Sequence, residues 1–358
     1  MFSIFMGLLS ICFVPPRADL YRIYLAFDNI RTSPLNMVID NLRFDFILPF
    51  IQYLISHVGL DFEIVRLVAI SLPCYLFIKL YNGLSSKYIL NNKLLFAVCI
   101  LSFPFMEISL GIRHGVAISL ISYTLIKKYL VGYKLNIVDC LFLILAPCIH
   151  FGTFWYSLII IISDFLPNRL PRPILWIVLI SCFFTSMYID EILSVLVFND
   201  ASSQIVSHYS TEGAYGTRFI FHNFIGSIPE YYSISLTYFL IIATILSLPY
   251  NRQTKVLYCI IMIWLLTHSL YTLNSRISNV ILVSFPLFYA IITHRVSLVF
   301  RLLILGALFT AIINWRAYTV SNSLHILYPL PFILMFGYDN QWLNENVDQF
   351  GTLYIYRR

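Results

Sequence analysis

Apolar stretches of helical length recur along the chain, separated by short polar turns, with no sustained period-two alternation. The pattern predicts membrane spans over 1–16, 64–82, 94–110, 112–130, 137–150, 151–165, 173–190, 233–250, 256–274, 277–293 and 300–315. This is an all-α, polytopic membrane fold of about eleven (roughly ten to twelve) transmembrane helices. The run 44–60 is apolar but carries Asp45, Pro49, Gln52 and His57, and reads as an interfacial helix. Between and after the spans lie an outer piece at 17–63 containing that helix, a long extracytoplasmic loop at 191–232, and a tail at 316–358. The tail holds an apolar run from Leu324 to Gly337 that suits a re-entrant segment or a last short span. The whole chain, 1–358, reads as one membrane domain without internal repeats.

Composition agrees with that pattern. Only 11% of the 358 residues are charged and 59% are apolar, with a mean hydropathy of +0.82. A soluble domain carries about 25% charge, so this chain lacks the polar skin that water would require. Cys12, Cys74, Cys99, Cys140, Cys148, Cys182 and Cys259 all lie in apolar runs and form no CxxC pair. Buried small hydrophobes are expected there, not zinc or redox sites. The first fourteen residues lack a basic leader and an A-x-A site, which suggests an uncleaved first helix.

Charge placement then orients the spans. Lysine occurs only at Lys79, Lys87, Lys93, Lys127, Lys128, Lys134 and Lys255, beside short turns that also hold Arg169, Arg172, Arg252, Arg295 and Arg301. Positive-inside bias makes that face cytoplasmic, and the N-terminus with it. The assignment requires 44–82 to cross once and 137–165 to cross twice, through short helices broken around Pro147, His150 and Gly152. The opposite face receives the remaining eleven arginines and no lysine.

Arginine without lysine carries chemical information, because guanidinium grips phosphate through a planar fork. Arg66, Arg113, Arg276 and Arg316 stand at outer ends of spans, and Arg218 lies in the long loop. A cation at a membrane edge is either a ligand site or a snorkelling headgroup anchor. His150, deep in Ala-Pro-Cys-Ile-His-Phe-Gly-Thr, is a candidate proton acceptor or a histidine bonded between helices. His114 beside Arg113 is similar. Asp19, Arg22 and Tyr24 mix acid, base and aromatic groups just outside the first span, so Asp19 is a second candidate base or sugar-hydroxyl ligand. Tyr209, Tyr215 and Arg218 in the long loop suit a carbohydrate groove, although aromatic belts give the same composition. No P-loop, G-x-S-x-G, HExxH or paired-acid motif occurs, so neither metal nor cofactor is expected. The basic face is dispersed over short turns, which argues against nucleic acid.

The run Gly111-Ile112-Arg113-His114-Gly115-Val116-Ala117 resembles the I-R-Q-x-[IL]-A signature of the EpsG-like group, polytopic bacterial polysaccharide polymerases related in role to Wzy O-antigen polymerases. Asp19 and Tyr24 resemble an early Asp-x-x-x-x-Tyr, Ile149-His150-Phe151-Gly152-Thr153 resembles an H-x-[ST] element, and Asn274-Ser275-Arg276 opens a late span with arginine. His114 replaces the usual glutamine, and the acid before the interfacial helix is represented only by Asp40 or Asp45. The resemblance implies a GT-C-like fold in the bacterial inner membrane and a metal-independent, inverting glycosyltransferase of lipopolysaccharide or polysaccharide biosynthesis. Its substrates would be undecaprenyl-diphosphate-linked oligosaccharides, joined on the periplasmic side among membrane lipids, with a chain-length regulator protein as a candidate partner. In that scheme Arg113, Arg276 and Arg218 hold the diphosphate, His150 or Asp19 accepts the proton, and His114, Arg22, Tyr24, Tyr209 and Tyr215 touch the glycan. An O-antigen ligase would use the same chemistry with another acceptor. A flippase for lipid-linked oligosaccharide, the non-enzymatic rival, calls for two pseudo-symmetric halves that the chain lacks.

Overall fold

The computed structural model describes residues 1–14, 19–35, 46–88, 103, 105–131, 135–188, 191, 237–238 and 240–293. All regular structure among them is helical. The helices are α1 (Phe2–Phe13), α2 (Asp19–Thr32), α3 (Ile47–His57), α4 (Phe62–Tyr88), α5 (Phe105–Leu110), α6 (Ile112–Ile126), α7 (Ile137–Ile149), α8 (Phe154–Ile162), α9 (Arg172–Thr185), α10 (Lys255–Leu266) and α11 (Tyr271–Thr293). Residues 240–247 are also helical. The expected span 300–315, the tail 316–358 and nearly all of the loop 191–232 lie outside the described residues. The chain divides into two compact units, one holding Met1–Ile89 and Pro104–Ser157, the other holding Leu158–Asn314, with smaller pieces added to each.

In the first unit, α4 and α6 are the central posts. α6 is buried almost all round, and two of its hydroxyls are satisfied locally. Ser119 Oγ donates to the Gly115 carbonyl at 2.7 Å and Thr124 Oγ1 to the Leu120 carbonyl at 3.0 Å. Such back-bonding to i−4 lets a polar side chain sit inside an apolar bundle. α1 lies antiparallel on α4. A Cβ added at Gly7 would sit 2.9 Å from the Leu67 carbonyl oxygen, so only glycine allows that approach. Arg66 of α4 then donates to the carbonyls of Ser10 (2.7 Å) and Val14, capping the last turn of α1. The Ser10 carbonyl already accepts from the Val14 amide at 2.9 Å and takes the guanidinium on its second lone pair. The Val14 carbonyl lies past the end of the helix, so one nitrogen of the fully buried guanidinium is bonded to the end of α1. The Lys79 ammonium lies 5.9 Å from the Tyr123 ring, and Ile112 shares a core with Phe62 and Val65, so α4 and α6 run parallel with level ends.

The segment 137–165 folds as two short helices. α7 opens with a capping box, in which Asn136 Oδ1 accepts from the Asp139 amide at 2.9 Å and Asp139 Oδ2 accepts from the Asn136 amide at 2.9 Å. It ends where His150 turns extended, at φ −149° and ψ 107°, before a 3₁₀ turn over Phe151–Thr153. Pro147, expected at the break, lies inside α7 instead. Ser157 Oγ donates to the Leu143 carbonyl at 2.8 Å. A continuous helix would separate those residues by about 21 Å, so the chain doubles back at the turn.

Three helices have unusual faces. α3 buries Leu48, Gln52 and Ser56, yet Phe50, Leu54 and Val58 are 45%, 49% and 74% exposed. α7 buries Asp139, Leu143 and Ala146 and exposes Ile137, Val138, Leu141 and Ile144. α9 buries Leu175 and Leu179 while exposing Ile174, Ile177, Ile180 and Phe184. A helix on a water-facing surface turns polar side chains outward; α3 and α7 instead bury Gln52 and Asp139 and expose aliphatic residues, and α9 is apolar on both faces.

In the second unit, α9 packs on α10 and α10 on α11. The buried Lys255 ammonium donates to the Leu166 carbonyl at 3.1 Å at one end, and Ser269 Oγ donates to the Ser186 carbonyl at 2.7 Å at the other. α9 and α10 are therefore parallel. The expected turn near 275 is displaced: α10 stops at Leu266 and α11 begins at Tyr271. Thr267 Oγ1 returns to the Ile263 carbonyl at 2.8 Å, and Asn274 Nδ2 reaches the Trp264 carbonyl at 2.7 Å. Those side chains terminate α10 earlier than the apolar run does.

Candidate functional site

Most of the polar residues singled out in the sequence that the structure describes gather at one end of the first unit. Arg113 and His114 occupy the first turn of α6, after Gly111 as its N-cap. Both are partly buried. His150 sits at the tip of the α7–α8 hairpin, and its ring meets the His114 ring edge to face with centroids 5.0 Å apart. α6 and α7 are antiparallel, so the opposite end of the pair holds Lys127 and Asp139, joined at 2.8 and 2.9 Å.

The His150 ring has a defined orientation. Its Nδ1 accepts from the Gly152 amide at 3.1 Å, and its carbonyl accepts from Thr153 Oγ1 at 2.8 Å. A Cβ on residue 152 would stand 2.9 Å from His150 Cε1 and 3.1 Å from Nδ1, so glycine is what lets the amide close on the ring.

α2 delivers the acidic candidate. Asp19 is its first residue and lies 3.5 Å from Arg22 one turn on, both side chains about half exposed. Tyr24 belongs to the other face of α2. It is buried against Phe62, with ring centroids 4.5 Å apart, and its hydroxyl donates to Glu63 Oε1. Tyr24 therefore bridges α2 to α4, where a surface sugar contact was expected.

One residue that the sequence reading passed over, Glu63, and one that it assigned to a surface helix, Gln52, complete this end. Glu63 is buried in the first turn of α4, and Gln52 of α3 donates to the Ile23 carbonyl at 3.2 Å. The signal for Glu63 was present: a carboxylate three residues before Arg66, opening an otherwise apolar run. Gln52 was visible but read as polar evidence for a helix lying on a surface. Among the described residues, no group of three or more His, Cys, Asp or Glu side chains is placed to hold a metal ion.

Arg276 belongs to the second unit, in the second turn of α11, and is partly buried. Arg218, Tyr209 and Tyr215 lie outside the described residues. The arrangement that can be read is thus two cations with some exposure (Arg22 and Arg113), two imidazoles and one accessible carboxylate at the same end of the first unit. These are groups able to bind an oxyanion and move a proton. No protein-family model, curated protein or solved structure matches the chain.

Proposed function

We propose that the chain is a polytopic inner-membrane glycosyltransferase that polymerises polysaccharide repeat units carried on undecaprenyl diphosphate. The membrane part rests on α4, whose segment Phe62–Leu84 is long and apolar enough to cross a bilayer, on the aliphatic outer faces of α3 and α7, and on α9, which is apolar on both faces. Aliphatic side chains outside and Gln52 or Asp139 inside is the order a lipid solvent favours. At 1.5 Å per residue, α7 and α8 measure about 20 and 14 Å, short of a hydrocarbon core of about 30 Å. In this reading the hairpin dips into the membrane and returns, replacing the two full crossings expected for 137–165. Either route brings the chain back to the lysine-bearing face.

The catalytic part rests on one observation, the grouping of Arg113, His114, His150 and Asp19 at the end of the bundle away from Lys127 and Asp139. In the proposed reaction the acceptor hydroxyl oxygen bonds to the anomeric carbon, and the bond from that carbon to the diphosphate oxygen breaks with its electron pair. The hydroxyl proton passes to a protein base, His150 or Asp19. Charge grows on the leaving diphosphate, and a guanidinium at Arg113 would stabilise it more than it stabilises the bound substrate.

The test is Arg113→Lys assayed for glycan chain length on purified lipid-linked repeat units. Loss of the bidentate fork should lower transfer on the order of 10- to 100-fold. Full-length polymer from the lysine variant would sink fork-type recognition. Transfer of finished glycan to a lipid A-core acceptor, with no polymer, would instead make the protein a ligase. Movement of the substrate across vesicles without bond formation would make it a flippase.

A further inference from the structure

The glycosyl-transfer reading leaves two candidates for the proton acceptor, and the hairpin geometry separates them. A neutral imidazole has one N–H and one lone pair in its ring plane. The Gly152 amide, 3.1 Å away, points its hydrogen at Nδ1, so the lone pair is there. The proton of neutral His150 is therefore on Nε2. The contact is built in rather than incidental. The chain reverses at this residue, Thr153 Oγ1 and the Thr153 amide both bond the His150 carbonyl at 2.8 and 2.9 Å, and position 152 has no room for a side chain beside the ring. His114 packs on the same ring from α6.

We propose that His150 serves the site as a hydrogen-bond donor, through Nε2–H, to a phosphate oxygen of the polyprenyl diphosphate, and takes no proton from the acceptor sugar. Asp19 is then the base. The hydroxyl proton goes to its carboxylate and afterwards to water, the new C–O bond forms, and the electron pair of the broken bond stays on the diphosphate oxygen that His150 faces. His150 stays neutral throughout, and its donor acts at the same end of the first unit as the Arg113 charge, where negative charge develops. The inference rests on the transferase reading for its ligand, while the tautomer stands on the hairpin alone.

Two measurements test it on the full-length protein in nanodiscs. Nitrogen-15 NMR of histidine-labelled protein at pH 8, with the His150 signals assigned by their loss in His150→Gln, reports the tautomer directly. Hydrogen on Nε2 and a bare Nδ1 is expected; the Nδ1–H tautomer overturns the proposal whatever the activity. Glutamine can donate from the Nε2 position but cannot act as a base near neutral pH. His150→Gln should therefore keep transfer within about tenfold of wild type, while His150→Ala should lose on the order of 10- to 100-fold. Equal and near-complete loss in both variants, each folded by its thermal transition, would assign His150 as the base after all. A wild-type protein that transfers no glycan would overturn the transferase reading and the diphosphate ligand with it, and the NMR result would still report the tautomer.

Discussion

The α6–α7 pair has two ends, and they are built differently. At one end Lys127 and Asp139 bond each other through both carboxylate oxygens, Asp139 also accepts from the Asn136 amide, and its own amide is capped by Asn136. Asp139 is fully buried there. The charges are used on one another, and the result is a locked joint between two helices. At the other end Arg113 and His114 stand partly buried on the first turn of α6, and His150 is held by its own hairpin turn. One end uses charge to fix structure. The other holds cation and imidazole in place with groups suited to an oxyanion. The same helices thus separate a structural pole from a candidate chemical one.

Breaking the structural pole should have the largest effect on stability. Asp139→Asn leaves the Lys127 ammonium without its counter-charge in a low-dielectric joint, a change expected to cost about 3–5 kcal/mol. The measurement is the thermal unfolding midpoint in detergent. The double variant Lys127→Met with Asp139→Leu should recover most of the loss, because replacing both members of a buried pair by apolar groups is close to neutral. Transfer activity per folded molecule should be unchanged in the double variant, whereas Arg113→Lys should show the opposite profile, transfer lowered on the order of 10- to 100-fold and an unchanged midpoint. A double variant that folds normally and is inactive would erase the distinction between the poles. The smallest effect is expected at the hairpin. Ser157→Ala removes one neutral hydrogen bond to the Leu143 carbonyl and should cost about 1 kcal/mol, read as faster hydrogen exchange confined to α7 and α8.

Much of this was legible in the chain. The helical class, the break near His150 and the start of α6 at Gly111 follow from apolar periodicity and from small or cyclic residues that interrupt it. The ends of α10 and α11 did not follow, because Thr267 and Asn274 terminate α10 through side-chain bonds to its own last carbonyls, and hydropathy does not register such bonds. The helix α2 was missed within the outer piece 17–63. Its buried face, Leu20, Tyr21, Ile23, Tyr24 and Phe27, has helical spacing, but acidic and basic residues between those positions dilute the apolar signal. Arg113, His114, His150 and Asp19 were found by residue type, and their common location needed the packing of α4, α6 and α7. The roles of Tyr24 and Arg66 changed for the same reason. Which group a buried tyrosine or guanidinium meets is a property of the fold: here Glu63 for one and the end of α1 for the other.

The chain reverses at His150, and the proposed function requires the structural pole to face the cytoplasm and the chemical pole to face out. Single cysteines at Leu135, Asn168 and Asp61, placed in a background without the seven native ones, test it on intact cells with a membrane-impermeant maleimide. The account predicts labelling at 61 alone, with 135 and 168 reacting only after the membrane is permeabilised. Labelling at 168 but not at 135 would mean that 137–165 crosses once as a single span, and would contradict the account.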